Sequence, residues 1–147
     1  MPADSILVAG GGIGGLAAAL GLARKGRRCV VLEQSAAFGE IGAGIQLGPN
    51  AFHAFDYLGV GHEARAKAVY VDHLILMDAV TDERISAIPL DEPFRRRFGN
   101  PYAVMHRGDL HSILLDACRA DPLVELRADS KVERYEQGGD TITATLA

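Results

Sequence analysis

Three glycines near the start of the chain have the spacing that can hold a diphosphate. The apolar segment Ile6-Leu7-Val8-Ala9 runs directly into the pattern Gly10-x-Gly12-x-x-Gly15. In this pattern the first glycine permits a tight turn, the second lets the backbone approach a pyrophosphate, and the third lets the following helix pack closely on the strand. Backbone N–H groups at the start of that helix lack intrahelical acceptors, and the helix dipole favours negative charge there. The donors that we predict are the N–H groups of Ile13, Gly14, Gly15 and Leu16.

A carboxylate follows the next predicted strand. Cys29-Val30-Val31-Leu32 is apolar and ends at Glu33, so that strand, loop, helix, strand and acid form one βαβ unit. A carboxylate at this place accepts hydrogen bonds from both hydroxyls of an adenosine ribose and repels a 2′-phosphate. The unit therefore predicts FAD or NAD rather than NADP. The alternative is a glycine-rich loop that only turns a strand into a helix.

Size and composition describe one ordinary globular domain. The chain has 147 residues, is 48% hydrophobic and carries a formal charge of −4. Because nucleic acids and anionic membranes bind concentrated positive charge, we expect neither as a partner. No secretory signal and no stretch of about 20 apolar residues is visible, so we expect a cytoplasmic protein without a membrane span. Cys29 and Cys118 lie in apolar patterns without metal-ligand spacing, which favours buried free thiols.

Hydrophobic periodicity predicts the remaining elements. We expect an α/β fold in which a Rossmann-like parallel βαβ sheet carries an added antiparallel β layer. The predicted elements are a helix over 13–25 ended by Gly26, a glycine-rich loop over 38–48, a helix from Pro49 stopped by Gly59, a hairpin within 69–90, an extended segment over 102–105, a helix around Leu110–Cys118 ended by Asp121-Pro122, a third parallel strand over 124–126, and a second hairpin over 130–147.

The chain stops inside the last predicted strand, without a polar tail and without further strands to complete a doubly wound sheet. We therefore expect residues 1–147 to be the N-terminal part of a longer FAD-binding domain, incomplete at its C-terminus. Residues 68–106 are expected to contribute to an antiparallel layer on the substrate side.

Several motifs together resemble a known family. These are the glycine loop, Glu33-Gln34, the segment Ile41-Gly42-Ala43-Gly44-Ile45-Gln46-Leu47-Gly48-Pro49-Asn50-Ala51, and Met105-His106-Arg107-Gly108-Asp109-Leu110. They resemble the N-terminal part of the single-component, FAD-dependent aromatic hydroxylases, the group that contains salicylate and 4-hydroxybenzoate hydroxylases. The resemblance implies a monooxygenase that binds FAD and uses NADH or NADPH and O2 to hydroxylate a hydroxybenzoate-like ring. It leaves the oligomeric state open, with a homodimer as one assembly.

The resemblance assigns cofactor-binding residues but no catalytic ones, because the family's substrate pocket lies mostly beyond this chain. It implies that Gly10, Gly12, Ile13, Gly14 and Gly15 hold the pyrophosphate and that Glu33 binds the ribose, with Gln34 beside it. It further implies that Gly44 and Gln46 run past the ribitol, that Arg107 reaches the ribitol and phosphate, and that Val132 presents its backbone to adenine.

Other readings of these residues stay open. Without the resemblance, Arg107 is better explained as the partner of Asp109 or of another surface acid. The basic triplet Arg95-Arg96-Arg97 is typical of a solvated face. Of the five histidines none has metal-ligand spacing, so we expect no metal site, and only His106 lies near predicted chemistry. The functional alternatives are an FAD-dependent oxidase or reductase of another class, a non-catalytic dinucleotide-binding module, and NAD rather than FAD in the loop.

Overall fold

A computed structural model of the chain describes residues 5–39 and 42–147. These residues form two compact units. One unit comprises the described residues up to 39 together with Leu110–Ala147, and the other comprises Gly42–Asp109. Of the predicted glycine-rich loop, Glu40 and Ile41 lie outside the described residues.

The helices and strands follow one another in mixed order. Along the chain they are β1 (Ile6–Ala9), α1 (Ile13–Arg24), β2 (Cys29–Leu32), β3 (Gly44–Leu47), α2 (Pro49–Leu58), α3 (Gly61–Lys67), β4 (Val69–Tyr70), β5 (His73–Met77), β6 (Arg84–Pro89), α4 (Glu92–Phe98), β7 (Ala103–His106), α5 (Arg107–Ala120), β8 (Val124–Arg127), β9 (Val132–Gly138) and β10 (Thr141–Leu146).

The first unit contains a parallel sheet in the order β1-β2-β8. The register pairs Ala9 with Leu32 and Leu32 with Arg127, so the carboxyl ends of the strands meet at one edge. The central strand β2 is buried along its whole length, which explains its uninterrupted apolar sequence. The predicted third parallel strand is thereby confirmed. The second hairpin is confirmed as β9 and β10, with Gly139 in the turn at a φ of +61°.

Two helices supply much of the first unit's core. The buried side of α1 is made of small and medium side chains, and α5 buries larger ones. These are Leu16, Ala19, Leu20 and Ala23 on α1, and Leu110, His111, Ile113, Leu114, Leu115 and Cys118 on α5. The i, i+3, i+4, i+7 pattern that predicted α5 thus corresponds to its buried face.

The second unit is built on antiparallel pairs, in a sheet of order β3-β7-β4 and a separate hairpin of β5 and β6. Helix α2 begins at Pro49 and stops at Gly59, whose φ is +82°, as the sequence predicted. The predicted α/β class with a parallel sheet and added antiparallel layers is confirmed. The substrate-side role of residues 68–106 stays a prediction.

Some local expectations were wrong. Residues 44–47 form β3 rather than loop, because their backbone pairs with β7 from Gly44 opposite His106 to Leu47 opposite Ala103. Helices α3 and α4 were not predicted; α4 contains the basic triplet and has no buried residue, in agreement with the solvated face expected there. The described residues include no helix that is both long and apolar enough to cross a lipid bilayer.

Candidate functional site

The turn from β1 into α1 depends on glycine at two points. Gly10 has a φ of +104°, a left-handed conformation that side chains disfavour. Its N–H donates to the Leu32 carbonyl oxygen at 2.8 Å, which ties the turn to β2. At Gly15 a Cβ would overlap the Gly10 carbonyl oxygen and lie 3.5 Å from Val8 Cγ1. The third glycine therefore does what the sequence predicted, since it lets α1 approach the loop.

Gly12 has no such internal reason to be glycine. It is the N-cap of α1, with φ −75° and ψ −177°, which any residue can adopt. A Cβ built there meets no heavy atom of the described residues within 4 Å beyond its chain neighbours, and the same holds at Gly14. The backbone at the start of α1 is therefore bare. A methyl group at Gly12 would fill space that is open to a ligand.

The donors at this helix start differ by one residue from the prediction. The Leu16 N–H donates to the Gly12 carbonyl oxygen at 3.0 Å and is the first intrahelical bond, so it is not available to an anion. The N–H groups of Ile13, Gly14 and Gly15 precede that bond and have no acceptor within the helix. No acidic side chain lies in the first turn of α1. The arrangement suits an anion such as a diphosphate.

Glu33 lies directly after β2 and is held by two backbone donors. Its Oε2 accepts from the Gly11 N–H at 2.7 Å, and its Oε1 accepts from the Ser35 N–H at 2.9 Å. The bonds from Ser35 and Gly11 lower the pKa of the carboxyl below its usual range, so the group is ionised at neutral pH. A carboxylate has about four acceptor positions. Two are used here, and the others can accept from vicinal hydroxyls.

A cleft of about 260 Å³ opens at the carboxyl edge of the parallel sheet. It brings together Gly10, Glu33, Gln34 and Val132 from the predicted set. The other lining residues are Ala9, Leu32, Ser130 and Lys131. A cleft just below the usual range of about 300–1,000 Å³ suits one part of a dinucleotide better than the whole. Ligands of open α/β sheets bind at this edge.

Backbone hydrogen bonds hold the distant segment before β9 at this cleft. The Ser130 N–H donates to the Glu33 carbonyl oxygen at 2.8 Å, and the Asp129 N–H donates to the Ser35 carbonyl oxygen at 2.9 Å. Sequence reasoning found Val132 only through the family resemblance and missed Lys131. A lone lysine ahead of a strand carries no local signal of ligand binding.

The predicted residues of the second unit form a separate group. Gly44 and Gln46 lie on β3, and Arg107 begins α5 directly after β7. The Arg107 N–H donates to the Ala43 carbonyl oxygen at 3.1 Å, and a Cβ at Gly42 would lie 2.8 Å from Arg107 Cβ. The backbone of Gly42 and Ala43 therefore packs against Arg107.

The amide of Gln46 has a side-chain partner in the same unit. The Tyr102 hydroxyl donates to Gln46 Oε1 at 2.5 Å, and the amide nitrogen of Gln46 is the donor of the same group. Asp109, the alternative partner considered for Arg107, accepts from Lys67 Nζ at 3.1 Å.

A buried histidine contacts the glycine loop. His111 is 2% exposed, and its Nε2 lies 2.8 Å from the Gly11 carbonyl oxygen. Because a carbonyl only accepts, Nε2 carries the proton. The expectation that only His106 lies near the predicted chemistry was wrong. The available signal was the position of His111 on the apolar face of α5.

The two cysteines are free and buried, as predicted. Burial raises the pKa of the Cys29 thiol and that of Cys118, the latter to about 12. Their thiols donate weakly to carbonyl oxygens of α1, Cys29 to Ala19 and Cys118 to Leu16. Neither is a reactive thiolate. Within the part of the chain that the structure describes, no three metal-binding side chains cluster.

Comparison with protein families matches nearly the whole chain. Residues 4–147 match the family described as FAD binding domain. The chain is 55% identical over 143 residues to 3-hydroxybenzoate 6-hydroxylase 1 of Aquipseudomonas alcaligenes, covering 97% of this chain and 36% of that protein. It is 50% identical to 3-hydroxybenzoate 6-hydroxylase of Klebsiella oxytoca, covering 93% of this chain and 34% of that protein. The chain thus spans about a third of the length of these relatives.

Solved structures share the fold. p-Nitrophenol 4-monooxygenase PnpA of Pseudomonas putida superposes with a TM-score of 0.85 at 26% identity, covering 96% of this chain and 36% of that one. HpxO of Klebsiella pneumoniae, solved in complex with FAD, superposes with a TM-score of 0.80 at 27% identity, covering 97% of this chain and 35% of that one.

Proposed function

Because the chain belongs to the FAD-binding domain family, we propose that its first unit binds the ADP half of FAD through the glycine loop and Glu33. The observation that carries this proposal is the bare backbone at Gly12, where a Cβ would enter open space beside the helix start. The N–H groups of Ile13, Gly14 and Gly15 would donate to the diphosphate. Gly10 and Gly15 would hold the turn in the shape that exposes them.

We assign the ribose and adenine to the cleft beside this loop. The Glu33 carboxylate, ionised and held by two backbone bonds, would accept from the ribose hydroxyls. Gln34 and the backbone around Val132 line the same cleft and would border the adenine. Lys131 adds a positive charge at this edge.

The family resemblance also assigns flavin contacts to three residues of the second unit. Gly44 leaves the backbone of β3 accessible, and Gln46 presents its amide nitrogen because Tyr102 occupies the amide oxygen. Arg107 is a permanently charged planar fork suited to phosphate and hydroxyl oxygens. These roles follow the family resemblance.

For the complete gene product we propose an aromatic-ring monooxygenase that uses NADH or NADPH and O2, with a hydroxybenzoate such as 3-hydroxybenzoate as substrate. Three relatives that are 50–55% identical bear the name 3-hydroxybenzoate 6-hydroxylase. When bound, FAD would accept reducing equivalents from the nicotinamide cofactor and activate O2 for ring hydroxylation. This chain's part is to bind and orient that cofactor.

The test is turnover by the complete gene product. We expect a yellow protein whose oxidation of NADH speeds up when 3-hydroxybenzoate is added and which then consumes O2 and releases a dihydroxybenzoate. NADH oxidation whose rate does not change when aromatic acids are added would point instead to an oxidase or reductase. A colourless protein that binds NAD would refute the flavin assignment.

For the complete gene product we also propose a cytoplasmic location, which fits the dependence on reduced nicotinamide. Its mass in solution tests whether it is a homodimer.

A further inference from the structure

We propose that His111 is a positioning residue for the FAD diphosphate, acting through the peptide group between Gly11 and Gly12. This inference rests on the proposed function of the glycine loop. His111 was not among the predicted site residues, and it touches the loop from inside the first unit.

The Gly11 backbone is restrained from several sides. Its N–H donates to Glu33 Oε2 at 2.7 Å, and its carbonyl oxygen accepts from His111 Nε2 at 2.8 Å. The residue is buried, and a Cβ there would overlap the ring of Phe38 and lie 3.1 Å from Glu33 Cβ. Glycine has the freest backbone of all residues, so a run of three needs such external partners to keep one shape.

The bond to His111 sets the direction of a candidate diphosphate donor. The Gly11 carbonyl and the Gly12 N–H belong to one planar trans peptide group, in which the two point in opposite directions. Because His111 holds the carbonyl toward the interior, the Gly12 N–H is turned away from it. Gly12 is also the N-cap, next to the open space where a Cβ would meet no described atom. Rotation of this peptide would re-aim the N–H.

Because His111 is buried, its imidazole can be removed without changing an exposed surface. His111 is one of the buried residues of α5, as are Leu110, Leu114 and Leu115. Without the imidazole, the Gly11 carbonyl oxygen would lose its hydrogen-bond donor in the interior, and the peptide group would be free to turn toward water. A purely structural role would instead only fasten α5 to the loop. The two roles differ in whether substitution of His111 alters the affinity for FAD and the environment of its diphosphate.

The experiment compares variants of the complete gene product, prepared without FAD and then titrated with it. H111L removes the donor at similar volume, and H111Q keeps an N–H at similar reach. C118A is the matched control, since Cys118 lies on the same helix and its thiol donates to the Leu16 carbonyl inside α1. The readouts are the FAD dissociation constant from flavin fluorescence, the melting temperature of the apo-protein, and the ³¹P resonances of bound FAD.

We expect H111L to raise the dissociation constant about tenfold, as for loss of one hydrogen bond to the loop, and to shift the diphosphate resonances. H111Q should stay within about threefold of the wild type, and C118A within about twofold with unchanged resonances. A lower melting temperature for H111L with unchanged affinity and resonances would mean a structural role alone and would overturn the proposal. Should H111L not fold, H111N, whose amide is too short to reach, must bind more weakly than H111Q. Equal affinities of these two would overturn it.

The variants G12A and E33A distinguish failure of the proposed FAD-binding function from failure of the role of His111. If G12A and E33A both bind FAD as tightly as the wild type, the diphosphate does not lie on this loop, and both proposals fall. If they bind weakly while H111L binds normally, only the role of His111 is refuted.

Discussion

The substitution Gly12→Ala separates the stability of the glycine loop from its ability to bind a cofactor. In the absence of FAD, the added methyl meets no described atom within 4 Å, and the backbone angles of Gly12 suit alanine. Alanine is a poorer N-cap than glycine by up to about 1 kcal/mol, but it also reduces the entropy of the unfolded chain by about 0.4–1 kcal/mol. These contributions oppose each other, so the apo-protein should keep its stability within about 0.5 kcal/mol.

The same methyl should damage FAD binding. It would occupy the space beside the N–H groups of Ile13, Gly14 and Gly15, so the diphosphate would lose at least one hydrogen bond to the backbone. A hydrogen bond to a charged group is worth about 1.5–3 kcal/mol, which corresponds to an increase of about 10- to 150-fold in the dissociation constant.

Two measurements on the complete gene product test this reasoning. Flavin fluorescence gives the FAD dissociation constant, and thermal unfolding of the apo-protein gives its melting temperature. Glu33→Ala is a useful companion, because it weakens the ribose contact without blocking the diphosphate. A Gly12→Ala protein that binds FAD normally would refute the placement of the diphosphate, and one that loses several degrees of melting temperature without FAD would refute the inference that Gly12 has no internal packing role.

Three further predictions concern the same unit. Gly15→Ala should destabilise even the apo-protein by about 1–3 kcal/mol, because its Cβ would overlap the Gly10 carbonyl, and an unchanged melting temperature would contradict that close contact. The pKa of Glu33 is lower in the folded protein than in the unfolded chain, so its bonds to Gly11 and Ser35 contribute stability above about pH 4.5. This stability is lost as the pH falls through the lower folded pKa, and the difference in melting temperature between wild type and Glu33→Gln should therefore shrink below about pH 4.5. A difference that stays constant with pH would refute this role of the two bonds. The two cysteines, both buried and with raised pKa values, should resist iodoacetamide at pH 8 until denaturant is added, and labelling of either in the native protein, located by peptide mass, would contradict their burial.

Sequence reasoning reached the elements whose signals are local. Pro49 and Gly59 bound α2 because proline suits a helix start and glycine tolerates the left-handed stop. It failed at β3, because Gly44–Leu47 alternates for only four residues inside a glycine-rich segment, and such a segment becomes a strand by pairing with β7. It also counted the Leu16 N–H as an open donor, although the first intrahelical bond already uses it.

The sequence by itself determined the glycine loop, the strand on either side of α1 and the carboxylate at the end of β2. Spacing and side-chain type are enough for these, because the requirements at Gly10 and Gly15 are steric and act within one turn of chain. Only the tertiary structure decided that His111 bonds to Gly11, that the Gly11 N–H donates to Glu33, and that the segment before β9 lines the cleft. Those contacts join residues far apart in the chain, and they arise from the packing of helices on the sheet, which no local pattern encodes.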